Sequence, residues 1–396
     1  MKLAHLADLH LGFRQYTRQN SSGINQREAD VASVFRSAID QIIDAAPQMV
    51  VVAGDVFHSV RPANPAILDS FNQLRRLRAG LPDVPIVIVA GNHDTPRSVE
   101  TGTILTLFEA IPNVHVVSQD VKTLRFEGMD VAVTGYPRAS LASPERPAIR
   151  PERGVKWNVL VLHGEVAGVV PGDRSFMEHT GAVIEPGDLH ADRWSYIALG
   201  HYHVATEVKP NAWYSGSLEY VSTNPWAETH AGTGPIPPGA KGWLLVTLTD
   251  TGVAIDFRPV KLARRHIDLD PVFASGMTAP ELDAALAERI ARVAGGIEDQ
   301  VIRQVVYDVS RSVGRELNHD VIRSWKTRAL HYRLDMRRPE ASPTVGVAAT
   351  GRHQTLEEIV DEYLQKITAT PGVDRDALIA LGREYLGRTE RGIVEG

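Results

Sequence analysis

Five short apolar runs in the first half of the chain each end in a cluster of carboxylate, amide or imidazole side chains. That recurrence limits the folds open to the sequence. Leu3 to Ala7 runs into Asp8 and His10. Met49 to Ala53 runs into Asp55, with His58 close behind, and Ile86 to Ala90 into Asn92, His93 and Asp94. Val159 to Leu162 ends at His163, and Tyr196 to Leu199 at His201 and His203. A further run, Val131 to Thr134, carries no such ending. Runs this short and this rich in Val and Ile suit buried strands rather than helices. Between them, Glu28 to Ala46 places Val31, Val34, Phe35, Ala38, Ile39, Ile42 and Ile43 at helical spacing. Pro65 to Ala79 does the same with Ile67, Leu68, Phe71, Leu74 and Leu77. Strand–helix alternation predicts a layered α/β domain.

Ligands gather outside the carboxyl ends of strands in open α/β sheets, so the five clusters are expected to converge. Asp8/His10 and His201/His203 are i, i+2 pairs, which point the same way in extended backbone, so each pair could clasp one ion. Seven ligands are on offer: Asp8, His10, Asp55, Asn92, His163, His201 and His203. They are too many for one ion and suit two. With Asp55 shared, each ion receives four protein bonds. Nitrogen and oxygen ligation without sulfur fits Mn, Fe or Zn better than Ca or Mg. Two such ions, ~3.5–4 Å apart, lower the pKa of bound water and clamp an in-line displacement at phosphorus. His93 and His58 remain as candidates to protonate the leaving oxygen or to hold the phosphate. The bland alternative treats each cluster as a turn. Gly91 would let the chain leave its strand and Asp94 would fix that turn. Read singly, each cluster allows this; read together, they do not.

The chain has 396 residues, enough for two domains and a tail. It contains no cysteine, which removes thiol nucleophiles and thiolate metal sites and is compatible with a reducing cytoplasm. No apolar run reaches the length of a membrane span, and none resembles a signal segment at the N-terminus. The net charge of -6 argues against a uniformly basic nucleic-acid binder.

Trp213 to Ser217, Gly242 to Thr249 and Val253 to Pro259 read as further strands, with loops at 143–154 and 231–242. From His266 the pattern changes to a smaller β-α-β-α-β unit: His266 to Leu269, Ala279 to Val293, Val301 to Val309, Asn318 to Arg328 and Leu330 to Met336. Residues 338–353 read as a linker. The tail offers two amphipathic helices, one opened by the capping box Thr355/Glu358 and one over about Asp374 to Gly387.

The segments "LADLHLGFRQ", "GDVFHSVRPANP", "GNHDTPRS", "VLHGE", "LGHYH" and "YSGSLEY" resemble the SbcD-type nucleases of DNA double-strand-break repair. These belong to the calcineurin-like metallophosphoesterase superfamily. The resemblance covers about residues 1 to 225. It implies a four-layer α/β sandwich, two β-sheets flanked by helices, with a small α+β capping domain and a helical C-terminal tail. The implied boundaries are 1–262 for the nuclease domain, 263–338 for a DNA-binding cap, 339–353 for the linker and 354–396 for an ATPase-binding tail. One ion would be held by Asp8, His10, Asp55 and His203, the other by Asp55, Asn92, His163 and His201. His93 would assist the leaving oxygen and His58 would position the phosphate. The resemblance further implies Mn as cofactor, a homodimer through helices of the nuclease domain, DNA as substrate and an SbcC-type ABC ATPase as partner.

Two segments depart from that pattern: the link at 16–30, which is longer, and the loop after His163. Phe13, Arg14 and Arg61 flank the metal motifs and are candidates to touch DNA. From Arg311 to Arg338 eight Lys/Arg stand against three Asp/Glu, a basic stretch that a solvated face would also explain. Competing functions are a phosphatase or cyclic-nucleotide phosphodiesterase using the same ions, and a DNA-end tether recruiting the ATPase.

Overall fold

The protein is described by a computed structural model covering residues 1–96, 102–169, 182–232, 234–339, 363 and 374–390. The chain begins with β1 (Lys2–Leu6), α1 (Gln26–Ala45), β2 (Met49–Ala53), α2 (Asn64–Gly80), β3 (Ile86–Val89) and β4 (Val114–Val117). These four strands pair in parallel. Asn25 caps α1 by accepting from the Arg27 and Glu28 amides, and Pro65 opens α2.

The second run of elements is β5 (Lys122–Phe126), β6 (Val131–Tyr136), α3 (Arg138–Leu141), β7 (Trp157–His163), the short β8 (Glu165–Val166) and β9 (Val183–Ile184), then β10 (Tyr196–Gly200), β11 (Thr206–Lys209) and β12 (Ala212–Tyr214). After α4 (Trp226–His230), the antiparallel β13 (Gly242–Thr249) and β14 (Gly252–Pro259) return to the first sheet. Its order is β14-β13-β1-β2-β3-β4, and that of the second sheet is β11-β12-β10-β7-β6-β5.

The two sheets pack face to face. Leu3, Val51, Val87, Val89 and Val246 from one meet Val133, Val159, Val161 and Ala198 from the other. The outer face of the first sheet carries α1 and α2 through Val34, Phe35, Ile39, Leu74 and Leu77. The outer face of the second is covered by Leu141 of α3 and by Leu189, Trp194 and Tyr202 from irregular segments. Because both sheets are buried on two sides, their central strands are continuous apolar runs. β4, β5 and β11 escape the sequence pattern: they are short, at or near sheet edges, and β5 and β11 are partly exposed.

The smaller unit consists of β15 (His266–Phe273), α5 (Ala279–Ala291), β16 (Val301–Tyr307), α6 (Arg311–Glu316), α7 (His319–Arg328) and β17 (His331–Met336). Its parallel sheet, β15-β16-β17, carries Leu282, Leu286, Ile290, Ile322 and Trp325 on one face. β15 runs four residues past its expected end at Leu269. Pro271 looks like a strand breaker, but it lies in an edge strand at a register shift between Leu269 and Val272, where no ladder bond is lost.

Met1–Arg338 pack as one compact unit, and residues 16–30 explain part of that. Tyr16 stacks on His331 at 4.0 Å between ring centroids. Arg18 pairs with Asp299 at 2.8 Å and donates to the Thr327 carbonyl. Arg264 reaches from the other side to Asp30 at 2.9 Å. Asp30 and Glu219 in turn flank the fully buried Arg27, each at 3.1 Å. The long link is thus structural padding between the two sheet systems, held largely by charged bonds. The second unit, Pro339–Gly396, contains a helix over Arg375–Glu390, in the region of the second expected tail helix. The first tail helix and the linker lie outside the described residues, apart from Pro339 and Tyr363.

Candidate metal centre

Asp8 and His10 follow β1, Asp55 follows β2, Asn92, His93 and Asp94 follow β3, His163 ends β7, and His201 and His203 follow β10. The clusters therefore come from two sheets, three strands of one and two of the other, meeting at their carboxyl edges. Hydrogen bonds across the sheet interface hold that meeting. The His163 Nδ1–H donates to the Ala53 carbonyl at 2.8 Å, and the His201 amide donates to both oxygens of Asp8 at 3.0 and 3.1 Å.

The side chains then form overlapping groups. Asp8, His10 and His203 bring one ligand atom each within 4.8 Å of one another, and so do Asp8, Asp55 and His163. His10 Nε2 lies 3.1 Å from His203 Nε2. Asn92 Oδ1 lies 3.0 Å from His163 Nε2 and 3.2 Å from His201 Nδ1. Asp55 Oδ2 stands between, 3.7 Å from His10 Nε2 and 3.3 Å from His163 Nε2. His201 and His203 therefore part company. His203 joins His10, and His201 joins Asn92, so this pair does not clasp one point.

Nor is the backbone extended, as the spacing argument assumed. Asp8, His10, Asp55 and His201 have φ of 53°, 43°, 51° and 104°. Left-handed backbone at four non-glycine positions costs free energy, and such residues cluster where function fixes a side chain's direction. Gly91 shows the reverse. It has no positive φ, so the turn does not require glycine. A Cβ there would sit 2.1 Å from Asp55 Oδ1, so the site needs the missing side chain for clearance. Asp94 fixes more than its own turn. Its carboxylate accepts from the Gly91, Val56 and Phe57 amides at 3.1, 3.1 and 3.0 Å, clasping the loops after β2 and β3 together.

The donor set fits divalent cations. Burial pushes the Asp8 carboxyl up. Burial also opposes charge at Asp55, but the imidazoles of His163, His10 and His93 outweigh it and hold the carboxyl well below its usual range. Burial would lower the His163 imidazole, yet the Asp55 carboxylate drives it up to about 9. A proton on His163 thus supplies the positive charge that this carboxylate demands when no other cation does. Candidate ligand nitrogens 3.1 Å apart and a carboxylate lodged between two imidazoles are what a pair of ions would organise.

His58 and His93 sit beside the candidate ligands. Their rings stack at 5.2 Å, and His58 Nδ1 is 3.2 Å from His10 Nδ1. His93 Nδ1 is 2.7 Å from the His58 carbonyl, and its amide donates to Asp55 Oδ1 at 2.8 Å. Of the candidate DNA contacts, Phe13 does not reach the surface. It is 1% exposed and packs edge-on against His58 at 5.0 Å, so it serves the wall of the site and offers no surface. Its apolar neighbours in "LHLGF" are core residues too, which the motif disguised. Arg14 is 58% exposed and pairs with Glu28 at 2.7 Å, and Arg61 is exposed.

Sequence reasoning missed a support behind His203. Buried Lys241 donates to the His203 carbonyl and to Ser217 Oγ at 2.9 Å each, and pairs with Glu228 at 2.5 Å. Glu228 also receives the Ser222 hydroxyl and lies 3.8 Å from His203 Nδ1. No local motif marks Glu228 or Lys241. A lysine closing a Gly/Pro-rich loop reads as exposed, and only the fold buries it.

Residues 1–205 match the calcineurin-like phosphoesterase family. Among curated proteins, the chain is similar to the DNA double-strand break repair protein Mre11 of Methanocaldococcus jannaschii, 27% identical over 235 residues, covering 58% of this chain and 59% of that protein. Its counterpart in Methanococcus maripaludis is 36% identical over 210 residues, covering 51% of this chain and 52% of that protein. That of Methanosarcina mazei is 28% identical over 359 residues, covering 80% of this chain and 54% of that protein. The chain spans a little over half the length of these relatives.

Gly91→Ala is expected to push the Asp55 carboxylate aside. Metal content by elemental analysis after Mn loading should fall below that of the parent protein, with the fold intact by circular dichroism; metal content equal to the parent's would refute the clearance role of Gly91. The Glu228 carboxyl, disfavoured by burial but paired with Lys241, is held down to about 2. Its ordinary value is 4.5, so the ionised pair contributes stability that is complete above about pH 4.5 and is lost as pH falls through about 2. A shift of this size corresponds to roughly 3 kcal/mol. In chelator-treated protein, Glu228→Gln should lower the urea-unfolding free energy at pH 7 and flatten its fall across that acid window. Parallel curves for variant and parent would exclude the pair as the source.

Proposed function

The chain belongs to the calcineurin-like phosphoesterase family, and from that premise we propose that it is a Mn-dependent DNA exo- and endonuclease acting on broken ends with an SbcC-type ABC ATPase. The observation that carries the chemistry is the placement of Asp55 between two groups of nitrogen and oxygen ligands. Asp8, His10, Asp55 and His203 would hold one ion; Asp55, Asn92, His163 and His201 the other. Two ions so held supply charge neutralisation for a phosphodiester and an activated water for in-line attack. DNA as substrate is supported by the relatives, which are DNA double-strand break repair proteins.

The protein's own groups supply the rest. A carbonyl only accepts, so the 2.7 Å contact with the His58 carbonyl fixes the His93 proton on Nδ1. His93 Nε2 is then the nitrogen that gains and gives up a proton, and in the imidazolium form it would donate that proton to the departing sugar oxygen. If His10 ligates through Nε2, its Nδ1–H donates to His58 Nδ1, which leaves His58 as an Nε2–H donor. That form can hold a phosphate oxygen without taking a proton from water.

The homodimer is supported by apolar surface around α2, where Leu68 is 63% exposed. Beside it lies a groove of about 610 Å³ lined by Val60, Ile67, Ile104 and Leu107. The tail, whose helix Arg375–Glu390 has Leu381 half exposed, is the proposed ATPase anchor.

His93→Asn should cut Mn-dependent cleavage of end-labelled duplex and hairpin DNA by at least about a hundredfold, the usual range for a general acid. Mn and DNA binding should persist. Absence of cleavage by the parent protein with any divalent ion would refute the nuclease reading. Deleting 354–396 should abolish capture by the ATPase and spare cleavage; a deletion that retains capture would move the anchor elsewhere.

A further inference from the structure

Three side chains stack at the carboxyl end of the smaller sheet. The Arg337 guanidinium lies 5.1 Å from the centroid of the Tyr307 ring, and Tyr307 stacks on Phe273 at 5.3 Å with 14° between planes. Register makes the row, because Phe273 pairs with Tyr307 across β15 and β16. Val272 and Val306, one residue earlier in each strand, enter the core beneath the helices. Alternation therefore turns Phe273 and Tyr307 to the opposite face. The amino ends of the three strands on that face are occupied: His331 stacks on Tyr16, and Arg303 lies over Trp226. The carboxyl ends are open, and Phe273, at the outer end of the stack, is 63% exposed.

Arginines stand beside the stack. Arg333 shares the face, paired in register with Arg303, and is exposed, as is Arg338. Two acidic groups on the face are paired: Asp335 lies 3.5 Å from Arg337, and Asp268 2.5 Å from Arg303. An aromatic ring with one bare face, backed by a second ring and a guanidinium and flanked by arginines, matches a flat group carried on a polyanion.

We propose that Phe273, Tyr307 and Arg337 form a stacking platform for an unpaired nucleobase of single-stranded DNA, with Arg333 and Arg338 meeting its phosphates. The choice of DNA rests on the nuclease reading above. The choice of single strand rests on geometry: in a duplex each base face is covered by its neighbours, whereas an unpaired base can extend the stack. The platform would hold a frayed or displaced strand on the smaller unit while the metal centre holds the strand to be cut.

The test measures fluorescence anisotropy of the full chain, without ATPase, on labelled oligo-dT of about 15 nucleotides and on blunt duplex. Phe273→Ala should weaken oligo-dT binding by about tenfold and leave duplex affinity unchanged, and Phe273→Trp should restore it. Unchanged oligo-dT affinity, or an equal loss on duplex, would overturn the proposal. A change in mass by light scattering with DNA affinity intact would also overturn it and mark a protein interface. Hydrolysis of bis(p-nitrophenyl) phosphate with Mn, run on the same preparations, separates the two readings. Hydrolysis without a Phe273 effect refutes the platform alone; a Phe273 effect without hydrolysis refutes the nuclease alone.

Discussion

The site depends on bonds that cross from one sheet to the other, from His163 to the Ala53 carbonyl and from the His201 amide to Asp8. Each uses a candidate ligand residue as a structural tie. The imidazole that presents Nε2 to Asp55 and Asn92 spends its Nδ1 proton on the opposite sheet. The carboxylate of Asp8 is aimed by a backbone amide from β10's end. The apolar packing between the sheets would tolerate small slides. These directed bonds would not, and so they set the relative position of candidate ligands drawn from five strands.

That arrangement is strained, and the strain has a compensating interaction. Asp8, His10 and Asp55 occupy left-handed backbone, and two carboxylates are buried side by side. Without cations, a proton on His163 meets the charge of Asp55. An ion bound there would have to displace that proton, so metal affinity would depend on pH and binding free energy would also stabilise the fold. The three amide bonds of Asp94 hold the loops in place in either state.

Much of this was legible in the sequence because buried parallel strands leave an unambiguous record. A run such as Met49–Ala53, apolar at every position, is a central strand, and the polar residue just beyond it must lie at a sheet edge. The polar clusters at the strand ends were legible as chemistry, though not as geometry. Extended spacing suggested that His201 and His203 shared an ion, and left-handed backbone at His201 sends them to different neighbours. Gly91 read as a hinge and proved to be a clearance. Phe13 read as surface because it borders a polar motif, whereas its ring is core. Glu228 and Lys241 left no trace at all, since their pairing depends on a contact between α4 and the start of β13 that no local pattern encodes.

That last contact connects the two halves of the first unit. Trp226, in α4, packs with Val301 and Leu330 of the smaller unit and under Arg303, and His230 of the same helix pairs with Asp268 at 3.0 Å. Glu228, between them in sequence, reaches Lys241 and through it the His203 carbonyl. A helix of five residues thus touches the small sheet on one side and the support of a candidate ligand on the other. A shift of the small sheet would act on Trp226, Arg303 and Asp268 first, and the buried Glu228–Lys241 pair is too costly to break for α4 to follow freely. The same pair that braces His203 therefore also ties α4 to the start of β13, so the candidate metal centre and the junction share one support.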